Sequence, residues 1–343
     1  NAFVAQGNSN LSTLTVEDVF SESGRLNQVM DTFEHRIAQQ KYGEYVSNTL
    51  NKEQSYCAIE AGTGLGKSMA YLFPALQKAF NNENENPVVI SCHTKHLQDQ
   101  LFNKDLPLLA KALDVPLHAI ILKGRSNYIC LTRLDWLITD AAQLLRKDEI
   151  GSLFPIIVWL HVTQTGDLSE CAGFWGCRPF KVAEMIQSEP GFCTTSLCAP
   201  NDGCYFGPIR QAVQDSQVII VNHALLLSNM NNPGLLPEYE TVIIDEAHNL
   251  VDVAYDQLTL EVNMFKVNAI LDIIDPKTTS AKRWTQKIEM LFDDNPEIKM
   301  HYKALQTGCE TSRKNGLEFF NDLANSITDR INDKVPYPQH IML

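Results

Sequence analysis

Two kinds of apolar pattern alternate along most of the chain. Short β-branched runs bounded by polar residues predict buried strands. These runs are YCAIE (56–60), VVISCH (88–93), part of DVPLHAIILKG (114–124), QVIIVNH (217–223) and TVIIDEAH (241–248). Longer segments with helical spacing, MAYLFPALQKAF (69–80) and KHLQDQLFNKDLPLLAKAL (95–113), lie between the first strands. Strands that alternate with helices predict an open α/β sheet with parallel strands.

The segments outside this alternation have other patterns. Residues 1–24 are mostly small and polar, which predicts a loosely held arm, and a helical pattern begins at Arg25 and continues to Leu50. A zone rich in Cys, Gly and Pro interrupts the sheet pattern, and a helical pattern with one apolar face follows the last strand. We therefore divide the chain into an arm (1–24), a first sheet segment (25–122), a Cys-rich insertion (123–212), a second sheet segment (213–255) and a helical region (256–343).

Composition and charge narrow the class of protein. A formal net charge of −13 over 343 residues argues against a basic protein that coats nucleic acid, although a local basic groove remains compatible with it. No apolar run reaches the length of a membrane span, so we expect no membrane association. Nine cysteines, an odd number, favour a reducing cytoplasm over a secreted disulfide framework.

The stretch EAGTGLGKS (60–68) matches the phosphate-binding P-loop, with Ala61 where the first glycine is usual. Glycines let successive backbone N–H groups point at phosphate oxygens, and the helix that follows presents its positive end. Lys67 would reach the β- and γ-phosphates, and the Ser68 hydroxyl would bind Mg²⁺. The other nucleotide-binding candidates are Gly62, Thr63, Gly64 and Gly66. The alternative is a glycine-rich turn from strand to helix that binds no nucleotide.

Two carboxylates follow the last predicted strand. Asp245 and Glu246 end TVIIDE, and carboxylates at the carboxyl end of a parallel strand are well placed to hold Mg²⁺ beside a P-loop. Asp245 would hold the metal and Glu246 would polarise the attacking water. The alternative for Asp245 is an ordinary helix N-cap.

These motifs together carry a family resemblance. AGTGLGKS followed by Asp-Glu-Ala-His resembles superfamily 2 helicases. HTKHLQDQL (93–101), ILKGRSNYICLTRL (121–134) and VIIVNHALLL (218–227) are similar to the DinG/XPD branch of DNA helicases. The resemblance extends over about residues 25–255.

The resemblance implies an α/β fold with a RecA-like P-loop NTPase lobe, an inserted iron–sulfur domain and a helical arch-like insertion. It implies an ATP-dependent DNA helicase that moves 5′→3′ on single-stranded DNA, with ATP and Mg²⁺ as cofactors. Replication, repair or CRISPR effector proteins are the partners that such relatives imply. The alternative is a degenerate helicase module that binds nucleotide or DNA and recruits a partner without unwinding.

The same resemblance implies a [4Fe–4S] cluster in the Cys-rich insertion. The first ligand would be Cys130 in GRSNYIC, and Cys193, Cys198 and Cys204 would complete the four thiolates of one cubane. Zinc also takes four thiolates, and a vestigial site without metal is the third possibility. Cys171 and Cys177 lie between the first and second of these cysteines and are either spare or competing ligands.

Further site residues come from matches to the branch's other elements. GRLNQ resembles an Arg-Pro-x-Gln element, which makes Arg25 and Gln28 candidates for contacts to adenine; an ordinary helix start is the alternative. His248, the last residue of the box, would couple the nucleotide site to a second lobe. The candidates for contacts to the DNA backbone are Thr94, Lys95 and Gln98. A solvated helix face is the alternative for Gln98.

A helicase of this class needs a second RecA-like lobe that supplies arginine fingers. The sequence contains no Gln-x-x-Gly-Arg-x-x-Arg element, so we expect the chain to be the N-terminal part of a longer protein. We expect this part alone to hydrolyse ATP weakly, because an arginine finger adds about 10³–10⁵ in rate in the related GTPases.

Overall fold

The structure is a computed structural model of the chain. It describes residues 2–8, 10–62, 64–81, 86–189, 204–231, 233–259, 263–278, 281–292 and 295–332. These residues divide into two compact units, one that ends at Leu258 and one that begins at Thr259.

The first unit is built on a five-stranded mixed sheet. Its strands are β1 (Ala2–Ala5), β2 (Val88–Cys92), β3 (Leu117–Ile121), β4 (Val218–Asn222) and β5 (Thr241–Ile244). The order across the sheet is β1-β3-β4-β2-β5, with β1 antiparallel to β3 and all other pairs parallel. Four of the five predicted strands are therefore present, and they form the parallel part of an α/β sheet.

Helices connect and cover these strands. In the sheet region they are α1 (Val16–Phe20), α2 (Ile37–Leu50), α3 (Lys67–Phe80), α4 (Lys95–Gln100) and α5 (Leu106–Leu113), with a π-helical turn at Leu101–Asp105 between α4 and α5. The Cys-rich zone contains α6 (Leu131–Thr139), α7 (Ala141–Leu144), α8 (Lys147–Gly151), α9 (Leu153–Leu160), α10 (Ala172–Gly176) and α11 (Phe180–Ile186). The rest of the first unit contains α12 (Phe206–Gln214), α13 (His223–Asn231) and α14 (Leu250–Leu258).

Both faces of the sheet are buried along its central strands β2, β3 and β4, as the continuous apolar runs predict. One core joins one face of the sheet to the first helices, and its largest members include Phe20, Phe73, Leu76, Ile90, Leu106 and Leu109. The second core covers the other face and includes Val89, Ile120, Ile219, Phe206, Ile209 and Leu225. Helices therefore flank the sheet on both sides.

The Cys-rich zone has a hydrophobic core of its own. It contains Leu134, Leu137, Ile156, Phe174, Val182 and Ile186, which come from α6, α9, α10 and α11. Helix α12, most of which the predicted boundary at 212 places in the insertion, packs instead on the sheet through Phe206, Ile209 and Val213. The independent core therefore covers about residues 129–186.

A buried ion pair joins this insertion to the sheet. Lys123 follows β3, and its Nζ lies 2.7 Å from Oδ2 of Asp167 and 3.9 Å from Oδ1 of Asp99. Asp167 is fully buried and also accepts hydrogen bonds from the backbone N–H and the hydroxyl of Ser169. Lys123 therefore neutralises a carboxylate that has no access to water.

Replacing Lys123 with methionine is expected to lower the free energy of unfolding by about 3 kcal/mol, because it leaves the Asp167 charge buried without a cation. Urea denaturation followed by circular dichroism measures the change. Lys147→Met, at an exposed lysine of α8, is the matched control. Equal urea midpoints for Lys123→Met and the control would show that the pair does not stabilise the fold.

Three predictions about the first 60 residues differ from the structure. The predicted arm contains β1, which completes one edge of the sheet, and α1, whose Val19 and Phe20 are buried. The predicted helix from Arg25 begins only at Ile37. Turns occupy residues 21–32, and their apolar side chains pack on the core without a helix.

The third difference is the strand predicted at 56–60, just before the P-loop. Residues 55–62 form no strand, and Tyr56 is 96% exposed. A strand needs a neighbour to satisfy its backbone hydrogen bonds. In the described part of the chain, residues 55–62 pair with no strand of the sheet, and β5 pairs with β2 only.

The second unit is helical, as predicted for the C-terminal region. It contains α15 (Met264–Ile274), α16 (Lys282–Glu289) and α17 (Pro296–Asn332). Arg313 of α17 forms hydrogen bonds to Asn268 (3.0 Å) and Asp272 (2.7 Å) of α15, which fixes the two helices together. None of the helices in the described ranges is both long enough and apolar enough to cross a membrane.

Candidate nucleotide-binding site

The P-loop turns directly into α3. Gly64 and Gly66 have φ of +77° and +83°, in the left-handed region that favours glycine, and α3 begins at Lys67. A Cβ on Gly66 would lie 2.2 Å from Nε2 of Gln39, so the Gln39 side chain would have to shift to admit any other residue there. Gly62 and Gly64 face open space, which leaves room for a phosphate chain. Thr63 lies outside the described residues.

Two side chains from the start of α2 hold this loop. Gln39 donates a hydrogen bond to the Gly66 carbonyl at 2.9 Å, and Arg36 donates one to the Gly64 carbonyl. We did not predict either residue as part of the site. The signal was available, because Arg36 and Gln39 have the same Arg-x-x-Gln spacing as GRLNQ, with Arg36 just before helix α2 and Gln39 in its first turn.

The structure does not bring Arg25 and Gln28 to the P-loop. Arg25 donates a hydrogen bond to the Leu113 carbonyl at the end of α5 (3.1 Å), and Gln28 lies in an exposed turn. Their proposed contact to adenine stays a prediction.

The carboxylates of the box lie opposite the P-loop. The Asp245 N–H donates to the Ser91 carbonyl (2.8 Å), which extends the β5 ladder by one residue and fixes Asp245 at the carboxyl end of the sheet. Glu246 adopts left-handed backbone angles, with φ of 53°. Its Oε1 accepts a hydrogen bond from Lys67 Nζ at 3.2 Å. Residues 179 positions apart in sequence therefore meet at one site.

His248 is also close to Glu246. Its Nδ1 lies 3.5 Å from Oε2 of Glu246, and its Nε2 lies 3.0 Å from the Asn249 amide. The imidazole is mostly exposed, so it lies at the surface of the site rather than within it. A coupling role towards a second lobe stays a prediction.

The donor set suits a hydrated Mg²⁺ ion beside phosphates. A hydroxyl (Ser68) and a carboxylate (Asp245) are oxygen ligands of the kind that Mg²⁺ takes. Both lie on elements that end at the same edge of the sheet, and the Asp245 side chain is half-buried. The buried Tyr71 hydroxyl donates to Oδ2 of Asp245 at 3.0 Å and fixes that carboxylate.

The predicted DNA-contact residues have different surroundings. Thr94 caps α4, where its hydroxyl accepts from the Leu97 N–H, and Lys95 donates to the Asn127 side chain at 2.8 Å. Both are exposed at the carboxyl end of β2. Gln98 is only 1% exposed, so contact with DNA would require its side chain to turn outward. These three contacts stay predictions.

The four predicted cluster cysteines are only partly covered by the structure. Cys193 and Cys198 lie outside the described residues. Cys130 precedes α6, and its N–H donates to the Ile186 carbonyl at 2.7 Å, while Cys204 precedes α12; both are partly buried. Ile186 closely precedes, and Cys204 directly follows, residues 190–203, which carry the other two cysteines. In the described ranges, no group of three or more metal-ligating side chains comes together.

The two cysteines between them in sequence have other surroundings. Cys171 is buried in the core of the insertion, and this burial raises the pKa of its thiol. Its side chain packs in that apolar core, and its Sγ lies 3.7 Å from the Pro155 carbonyl oxygen, so Cys171 fits a packing role. Cys177 is exposed.

Comparison with known protein families supports the nucleotide-binding site described above. The sequence matches the DEAD/DEAH box helicase family over residues 38–150 and the DEAD_2 family over residues 193–267. The chain therefore contains DEAD/DEAH box helicase and DEAD_2 domains.

Its relatives include proteins named DinG and YoaA. It is 30% identical over 335 residues to the ATP-dependent DNA helicase YoaA of Haemophilus influenzae, which covers 92% of this chain and 50% of that protein. It is 34% identical over 242 residues to YoaA of Escherichia coli, with 69% and 36% covered. It is 28% identical over 282 residues to the 3′-5′ exonuclease DinG of Bacillus subtilis, with 79% and 28% covered. The chain thus spans half or less of the length of these relatives.

Proposed function

We propose that this chain is the first motor lobe of an ATP-dependent DNA helicase. The observation that carries the proposal is the ion pair between Lys67 and Glu246, which joins the P-loop to the Asp-Glu-Ala-His box at the carboxyl edge of the sheet. A phosphate-binding lysine and a water-activating carboxylate need this proximity, because the γ-phosphate must lie between them.

The roles of the residues follow from this arrangement. The backbone of Gly62, Gly64 and Gly66 and the start of α3 would hold the phosphates. Lys67 would exchange its contact with Glu246 for the β- and γ-phosphates, which would free Glu246 to orient the attacking water. Ser68 and Asp245 would hold Mg²⁺, whose charge offsets that of the phosphates.

The DNA would run past the carboxyl end of β2. Thr94 and Lys95 are exposed there, and a hydroxyl and an ammonium suit contacts to phosphate oxygens that do not depend on base sequence. The relatives named as DNA helicases support the coarser proposal of a DNA helicase. Single-stranded DNA, movement 5′→3′ and an arch formed by the second unit are finer parts of the proposal, which follow from the resemblance to the DinG/XPD branch.

The insertion would hold the [4Fe–4S] cluster through Cys130, Cys193, Cys198 and Cys204. The Cys130 N–H contacts Ile186, just before the segment that carries the other two cysteines, and Cys204 directly follows that segment, which supports a common site. The cluster would supply a rigid covalent crosslink of the insertion.

Unwinding by the full-length natural protein tests this function. A duplex with a 5′ single-stranded overhang is expected to be unwound with ATP, and the same duplex with a 3′ overhang is not. Glu246→Gln is expected to lower unwinding and ATP hydrolysis together, at least about 100-fold, while nucleotide still binds. Glu238→Gln, at an exposed glutamate just before β5, is the control.

Other results would select the alternatives. Equal unwinding of both duplexes would contradict the proposed direction. ATP and DNA binding by a wild-type protein that neither hydrolyses nor unwinds would identify a module that recruits a partner.

A further inference from the structure

We propose that Tyr71 is a positioning residue for the magnesium site and holds Asp245 through its phenol hydroxyl. This inference rests on the proposed function. Tyr71 lies on α3, three residues after Ser68 and four after Lys67, so all three side chains emerge on the same side of the helix. One helix would thus supply the phosphate ligand, a metal ligand and the group that fixes the second metal ligand.

The geometry makes Tyr71 the donor. Its hydroxyl lies 3.0 Å from Oδ2 of Asp245, and its side chain is 2% exposed. The phenol hydroxyl carries the hydrogen and the carboxylate oxygen accepts it, so the direction of this bond is fixed by the two groups.

The contacts of Asp245 leave it little rotational freedom. Oδ1 accepts a hydrogen bond from the Glu246 N–H at 3.0 Å, and Oδ2 accepts from Tyr71. Each oxygen is thus fixed by one donor and keeps a second lone pair for a hydrated metal ion. Without the phenol, only the contact to the neighbouring backbone would orient the carboxylate.

Tyr71 and the other proposed metal ligand lie on the same helix. Ser68 stands one turn before Tyr71 on α3, so both side chains lie on the same side of that helix. Groups that orient a metal ligand through a hydrogen bond, as Tyr71 orients Asp245, commonly change metal affinity when they are removed.

The test removes the phenol oxygen of Tyr71 and keeps the ring. Tyr71→Phe in the full-length protein is expected to weaken Mn²⁺ binding about tenfold or more, measured by electron paramagnetic resonance of free Mn²⁺ with a non-hydrolysable ATP analogue present. The affinity for the analogue in EDTA is expected to stay within about twofold of wild type, because the P-loop contacts are unchanged. Tyr302→Phe is the control, since it removes a buried phenol that donates to Glu289 in the other unit.

A mutant cycle supplies a second measurement. If Tyr71 acts through Asp245, Tyr71→Phe will change Mn²⁺ affinity in the wild-type background but not in Asp245→Asn. Unchanged or tighter Mn²⁺ binding by Tyr71→Phe would overturn the inference and leave the proposed function standing. Equal effects of Tyr71→Phe on Mn²⁺ affinity in the two backgrounds would also overturn the inference. A loss of analogue binding in EDTA would overturn it as well. A wild-type protein that binds no analogue under any condition would instead contradict the proposed function.

Discussion

Lys67→Ala in the full-length protein is expected to lower DNA-stimulated ATP hydrolysis at least about 100-fold, the loss seen when one preorganised charge-stabilising donor is removed. Lys67 lies at the first position of α3, and its ammonium is 3.2 Å from Glu246. Alanine would remove the cation from the phosphates and leave Glu246 without its partner. Because the side chain is partly exposed at the site, the fold is expected to tolerate the change.

Steady-state phosphate release with and without single-stranded DNA measures the loss. Lys78→Ala is the matched control, because it removes a lysine from the last turn of the same helix, away from the loop. Circular dichroism checks that both variants fold. Turnover by Lys67→Ala close to that of the control would contradict the assignment of the P-loop.

Cys130→Ser is expected to remove most of the iron from protein purified without oxygen. Wild type is expected to contain about four irons and four acid-labile sulfides per chain. Serine is a poor substitute for a thiolate, and loss of one of four ligands exposes the cluster to solvent and oxidation. The change leaves the backbone contact between Cys130 and Ile186 in place.

Iron, sulfide and zinc analysis with a visible spectrum distinguishes the outcomes. Cys177→Ser, at an exposed cysteine of the same insertion, is the control and is expected to retain its iron. Iron loss in Cys177→Ser but not in Cys130→Ser would identify Cys177, instead of Cys130, as the cluster ligand. One zinc per wild-type chain would make the insertion a structural zinc site, and no metal would make it vestigial.

The sheet could be predicted well from sequence because its strands are buried on both faces. Continuous β-branched runs such as those around Ile90 and Ile220 have no polar alternation and few alternatives. The first 60 residues were predicted poorly for the opposite reason. Short elements such as β1 and α1 gain their stability from the core they join rather than from their own pattern.

The residues of the candidate site also include some that could be predicted from sequence and some that could not. The motif residues Lys67, Asp245 and Glu246 were predicted, and the structure brings them together. Gln39 was missed because the Arg-x-x-Gln spacing was assigned to GRLNQ instead. Tyr71 was missed because a tyrosine inside a helix gives no signal of chemistry until the fold places it against a carboxylate.

The backbone conformation of Glu246 has a consequence for how related sequences diverge. Its left-handed backbone, with φ of 53°, costs a residue other than glycine about 1–2 kcal/mol. Glycine would relieve that cost and would also remove the carboxylate. Selection for turnover and selection for stability therefore oppose each other at this position. In a lineage that no longer depends on ATP hydrolysis, drift would favour glycine or asparagine here, and such a replacement would mark a descendant that has kept the fold and lost the motor.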